Sequence, residues 1–336
     1  MKIRPILLLF LFTWQGNQMV QAQLPDSIKA HIDSCLTILE INSLYSPSVN
    51  WPKTRQLVFA KAKDAKTKDG TFEALKIAFD ALGDKHALYY HYDNQYKLNN
   101  DALMSRYTDS IKAAWLDGPH IVYRMINGIA YLRVPFMGVN KQKDIDERAN
   151  ALYRAVNSLQ EQAPAGWIID LRLNGGGNIR PMLAGLAPFF PDGTVSYYLD
   201  HRGQASDKSS FKDGQFLMDG VAQAKIDSVI TGFPQSKVAV LIGPGTGSSG
   251  ELTAAVLKQR DHTKLFGEST AGLANATAGF VMGNDVYLLI STARIADKDK
   301  KALPELVIPD ITIKSNDAFH VIEKDLTVLA ALQWLQ

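Results

Sequence analysis

Val238-Ala239-Val240-Leu241-Ile242, followed by Gly245-Thr246-Gly247-Ser248-Ser249-Gly250-Glu251 and the apolar-periodic segment Leu252 to Leu257, decides how the rest of this chain is read. Five consecutive apolar residues mark a buried strand, the glycine cluster a turn, and the periodic segment a helix. Strand, tight turn and helix in that order are the unit of an α/β protein. A serine held among glycines at such a turn can face a substrate while backbone N–H groups converge beside it. The same residues also read as a capping box, with Ser248 and Glu251 satisfying the first N–H groups of the helix.

The alternation extends on both sides. Upstream, a periodic segment from Asp144 to Gln160 leads to the apolar run Trp167 to Leu171, a glycine loop, a helix from Ile179 to about Leu186 and a strand near Val195 to Leu199. Downstream come Thr263 to Phe266, a hairpin turning at Gly283-Asn284-Asp285 before Val286 to Ser291, and a closing helix over Ala318 to Leu335. Ahead of all these, Ile121 to Met125 and Ile129 to Val134 flank Asn127-Gly128, a strong hairpin signal. Residues 25 to about 83 are helical by periodicity, with stripes at Ile28, Ile32, Cys35, Leu36 and Leu39, at Val58, Phe59 and Ala62, and at Phe72, Leu75, Phe79 and Leu82. The expected organisation is a helical cap over 23–118 and an α/β core over 119–336.

Asp170-Leu171-Arg172-Leu173-Asn174-Gly175-Gly176-Gly177 is the second informative stretch. Consecutive glycines cost about 1 kcal/mol each in backbone entropy, so they imply unusual dihedrals or a close approach of backbone to a ligand. An oxyanion-binding loop and a simple tight turn both fit. The Lys-Ser/Thr of a phosphate-binding loop is absent, and the spacing does not match the dinucleotide fingerprint.

The first residues carry Lys2 and Arg4, an apolar run from Ile6 to Trp14, and Val20-Gln21-Ala22 before Gln23. That pattern predicts a secretory signal peptide over 1–22 and a secreted or periplasmic product. No later run approaches the roughly 20 apolar residues of a membrane helix, so no integral membrane span is expected. The chain has 36 basic and 34 acidic residues, a balance that offers no electrostatic argument for nucleic acid. Cys35 is the only cysteine, which excludes an internal disulfide. Ligand-spaced His, Cys or acidic motifs are absent, and neither a metal nor a cofactor is expected.

Taken together, Asp-Leu-Arg with Asn-Gly-Gly-Gly behind it, Ser-Ser-Gly-Glu opening a helix, Gly267-Glu268-Ser269-Thr270-Ala271-Gly272, and Pro309-Asp310-Ile311 resemble the tail-specific, or C-terminal processing, serine peptidase family. Gly83-Asp84-Lys85-His86 resembles that family's Asp-x-His signature. The resemblance implies a ClpP/crotonase-like core of β-β-α units, Ser248 as nucleophile, and an oxyanion hole from the N–H groups of Gly175, Gly176 and Ser249. It implies a peptide or unfolded protein as substrate.

Three departures shape the mechanism. Where many members carry lysine in a Gly-Lys pair, this chain has Gly272-Leu273, so a serine–lysine dyad is not available. Between His86 and the Tyr123 hairpin about 35 residues stand where a PDZ domain would need roughly 80. The branch that uses histidine as base sets a second serine beside it, whereas here the neighbours are Lys85 and Ala87. His86 becomes the leading base, since an imidazole titrates near neutrality, and Glu305 is the candidate acid that would orient it. The competing reading is an inactive binding protein on the same scaffold, carrying an apolar ligand or peptide. A crotonase-type acyl-CoA enzyme fits less well, given the export signal and the lack of an evident nucleotide site.

Overall fold

The computed structural model describes residues 24–336, so the expected leader at 1–22 lies outside the described residues. Three helices open the described residues: α1 (Asp26–Asn42), α2 (Trp51–Lys61) and α3 (Phe72–Leu82). Their apolar stripes face one another, with Ile32, Leu36 and Leu39 packed among Val58, Leu75 and Phe79. Asn50 starts α2 by accepting the Lys53 N–H. Gly83, at φ 67°, ends α3 in the left-handed conformation that glycine takes without steric cost.

The tyrosine-rich segment after α3 forms strands β1 (Leu88–His91) and β2 (Asn94–Tyr96), and two short helices follow, α4 (Asp101–Met104) and α5 (Asp109–Leu116). The hairpin is β3 (Val122–Ile126) and β4 (Ile129–Arg133), paired Ile126 to Ile129 across the Asn127-Gly128 turn. Beyond it lie α6 (Gln142–Gln160), β5 (Trp167–Asp170) and α7 (Ile179–Gly185). A meander of β6 (Gly193–Leu199), β7 (Ala205–Lys212), β8 (Gln215–Met218) and β9 (Val221–Ala222) comes next. The chain then makes β10 (Val238–Ile242), α8 (Ser249–Lys258), β11 (Thr263–Gly267), β12 (Asn275–Met282), β13 (Val286–Ala296), β14 (Ile311–Thr312) and α9 (Leu326–Leu335).

The closing helix is shorter than its expected span because Asp325 caps it, accepting the N–H groups of Thr327 and Val328. The chain ahead of it makes only a 3-10 turn at Ile322–Lys324.

These elements build two sheets. One has the order β14-β11-β10-β5-β4-β3, parallel except for the β3–β4 hairpin. Strand period two sorts β10 between two cores. Val238, Val240 and Ile242 pack with α6, α7 and α8, whereas Ala239 and Leu241 pack against α9. Both faces are covered, which is why β10 is apolar along its length and β5 is apolar up to its terminal Asp170. The other sheet runs β2-β1-β13-β6-β7-β8-β9, with β12 paired to β13. Leu88 pairs with Leu289, so the N-terminal region contributes strands to a sheet made mostly of later residues.

Candidate active site

The loop after β5 and the turn after β10 are adjacent because their strands pair in parallel, Val240 beside Ile169. Side-chain and backbone hydrogen bonds then stitch them. Thr246 Oγ1 donates to the Leu171 carbonyl at 2.9 Å, the Gly247 N–H to the Asn174 carbonyl at 2.9 Å, and Ser249 Oγ to the Gly177 carbonyl at 2.7 Å. Gly176, at φ 110°, has no room for a side chain: a Cβ there would lie 2.7 Å from the Ser248 Cβ. The glycine loop is therefore a close approach of backbone to the serine turn.

Ser248 has φ 50° and ψ −122°, a left-handed conformation costly for a residue with a side chain. Such a strained strand-to-helix turn projects a serine hydroxyl away from the sheet. Ser248 and Glu251 take the capping-box arrangement, and Glu251 Oε2 accepts the Ser248 N–H at 2.8 Å. Cap and serine elbow, alternatives in the sequence, coexist. The Gly176 N–H is committed to Asn174 Oδ1 at 3.0 Å, which leaves Gly175 and Ser249 as the remaining expected oxyanion donors.

Beneath the loop lies a buried charge network. Arg172 donates through Nε and Nη2 to the two oxygens of Asp170, at 3.0 and 2.8 Å, and through Nη1 to both oxygens of Asp325, each at 2.8 Å. Tyr131 donates to Asp170 at 2.6 Å. Burial works to raise the Asp170 pKa, but the Arg172 guanidinium outweighs it and holds the carboxylate well below its usual range.

Ser248, Ser249, Gly177 and Asn178 line a cleft of about 950 Å³, walled by Asn275 to Gly279 of β12 and by Leu289, Thr292 and Ala293 of β13. Asp200, Arg202 and Asp207 also line it. These three residues, in the β6–β7 connection and on β7, belong to no sequence motif.

His86 does not line the cleft. Asp84 Oδ1 accepts the His86 N–H at 2.9 Å, and Asp84 binds the Ser291 N–H and hydroxyl at 2.8 and 3.0 Å. The Asp-x-His segment is thereby pinned to β13, the strand that also lines the cleft. His86 Nδ1 is buried without a hydrogen-bond partner among the described residues, and burial lowers the pKa of the ring against the opposing charge of Asp84.

Glu305 is engaged elsewhere. Its Oε2 accepts the Tyr45 hydroxyl at 3.1 Å and its Oε1 lies 3.4 Å from Arg294, so its carboxylate is bound to these groups and not to His86. Among the described residues no hydrogen bond joins Glu305 to His86, and β13 supplies Arg294 as its charged partner. Tyr45 also accepts from Asn275 at 2.8 Å, which links Glu305 to the cleft wall by a route with no sequence signature.

Three comparisons with known proteins bear on this geometry. The family model described as peptidase family S41 matches residues 128–313. The chain belongs to peptidase family S41. The match spans the glycine loop, the serine turn and the strands between them, in accord with the resemblance to the tail-specific peptidases. Among relatives of this S41 chain, the nisin-resistance protein of Lactococcus lactis subsp. lactis is 28% identical over 289 residues, covering 85% of this chain and 84% of the relative. The carboxyl-terminal-processing protease of Synechocystis sp. is 23% identical over 187 residues, 55% of this chain and 38% of that protein. Solved structures share the fold. A lipoprotein from Streptococcus agalactiae aligns with a TM-score of 0.69 at 23% identity over 93% of this chain and 97% of its own. The photosystem II D1 C-terminal processing protease aligns at 0.57 with 14% identity, over 86% of this chain and 94% of its own.

Proposed function

We propose that this S41 chain is an exported serine peptidase that cleaves peptide bonds through a Ser248 acyl-enzyme. The observation that carries the reading is the strained Ser248 turn packed against Gly176 at the wall of a cleft of about 950 Å³. In this mechanism Ser248 Oγ attacks the scissile carbonyl and His86 takes the serine proton, then passes it to the leaving amine. The N–H groups of Ser249 and Gly175 face the oxyanion. Water deprotonated by the same histidine releases the acyl group. No step requires a metal or cofactor. The predicted leader at 1–22 supports action outside the cytoplasm.

A second reading, a binding protein with an idle site, draws on Leu273 at the lysine position and on Glu305 being held by Tyr45 and Arg294. A fluorophosphonate separates the two, because it reacts only with an activated hydroxyl. Labelling at Ser248 in wild type and none in Ser248→Ala, with hydrolysis of an unstructured protein lost in the same variant, is the expected result. No labelling of folded wild type between about pH 6 and 9, a range in which an ordinary imidazole loses its proton, would favour the binding protein.

A further inference from the structure

We infer that Glu251 is a positioning residue for Ser248, the side chain that ties the serine turn to the Gly272-Leu273 loop; the inference rests on the reading of Ser248 as nucleophile. Glu251 is 0% exposed. Its Oε2 accepts the N–H groups of Ser248 and Leu273, and its Oε1 accepts that of Gly272, all at 2.8 Å. A helix cap needs only the first of these bonds. The other two come from a loop more than 20 residues further on, beyond β11.

The arrangement answers a physical need. A left-handed serine persists only where its surroundings over-determine it. Gly176 limits the turn on one side, and Glu251 holds its N–H on the other. The position where the family's lysine is expected, Leu273, contributes its backbone N–H to the same carboxylate.

Both oxygens must accept for the tie to hold, which requires the ionised form. Burial pushes the Glu251 pKa up to about 7, against the hydrogen bonds from Thr270, Gly272, Leu273 and Ser248. Proton uptake near neutrality would turn one acceptor into a donor facing N–H groups. Tyr107 faces Glu251 from the α4–α5 connection, and its pKa is raised by burial and then by Glu251. Arg106 beside it gives its guanidinium to the carbonyls of Ser269 and Thr270, which fixes the same loop from outside.

The test measures fluorophosphonate labelling rate against pH in the wild-type chain, Glu251→Gln and Glu251→Asp, alongside thermal unfolding and amide hydrogen exchange. Glutamine keeps the size but offers one acceptor oxygen. The expected result is a folded Glu251→Gln that labels about 10²-fold more slowly, the scale of loss from a misplaced reacting group. An inflection near pH 7 should be present in wild type and missing in this variant. Exchange at Ser248, Gly272 and Leu273 should accelerate together. Glu251→Asp keeps the charge, withdraws it by one methylene, and should loosen Gly272 and Leu273 while still folding. Labelling of Glu251→Gln within about twofold of wild type, with only the melting temperature lowered as for a lost cap, would overturn the inference. If wild type itself fails to label, the nucleophile reading falls, and uncoupled exchange at the three N–H groups would separately refute the tie.

Discussion

Arg172 Nη1 donates to both carboxylate oxygens of Asp325, each at 2.8 Å, although the two residues stand 153 positions apart and neither side chain is more than 3% exposed. Arg172 begins the glycine loop, and Asp325 caps α9 on the far side of the parallel sheet. The loop beside Ser248 is therefore held from the last helix of the chain as well as from its own strand. Asp170 needs Arg172 to stay ionised, so the three groups act as one unit.

Asp325→Ala should destabilise the fold by about 3–5 kcal/mol, because it leaves the Arg172 charge buried with one partner fewer, and the lost cap adds about 1 kcal/mol. Urea unfolding at neutral pH measures the loss. A change below about 1 kcal/mol would mean that Arg172 finds water or another partner when Asp325 is removed.

Gly176→Ala should fold with reduced stability and lose nearly all turnover. The new methyl would lie 2.7 Å from the Ser248 Cβ and 3.1 Å from the Ser249 nitrogen, at a φ of 110° that an alanine rarely adopts. Gly175→Ala is the control, since a Cβ at that position meets nothing within 4 Å. Paired rates and melting temperatures for the two variants decide it, and equal activity in both would place the glycine loop outside the site.

Replacing Ser248 by glycine should raise stability by about 1 kcal/mol while abolishing hydrolysis. Relief of a left-handed φ of 50° in a residue with a Cβ is worth that order. Chemical denaturation checks the sign: a loss of stability would show that the serine side chain contributes more as a cap than its backbone costs.

Activity should rise with pH as His86 loses its proton. Burial lowers its pKa from 6.5, so the neutral ring persists below that value and the His86 half-point should fall on the acidic side of 6.5. The sign for stability is the same. The unfolded chain binds the proton more readily, so the contribution of His86 is full above 6.5 and is lost as pH falls toward the lower folded value. His86→Ala should nearly eliminate hydrolysis and flatten both curves. A variant retaining most turnover would remove the histidine from the chemistry.

Local order explains which features were legible. The β3–β4 hairpin follows from Asn127-Gly128, whose φ values of 50° and 79° are those its turn type demands. The β10-turn-α8 unit follows from a continuous apolar run meeting glycines and a capping pair. The β1–β2 strands and the β6–β9 meander were not read in full, because their residues are polar or mixed and gain their partners only in the assembled sheet.

The order of apolar runs, glycines and capping residues determined by itself that this is an α/β chain with Ser248 at a strand-to-helix turn and a glycine loop before it, since hydrophobic periodicity and backbone freedom act over a few residues. Tertiary structure alone decided what those residues touch. Asp84 reaches Ser291, Glu251 reaches Gly272 and Leu273, and Glu305 pairs with Tyr45 and Arg294 rather than with His86. Such pairings depend on which strands lie side by side and on which charge is nearest once water is excluded, and neither is written in the spacing of residues along the chain.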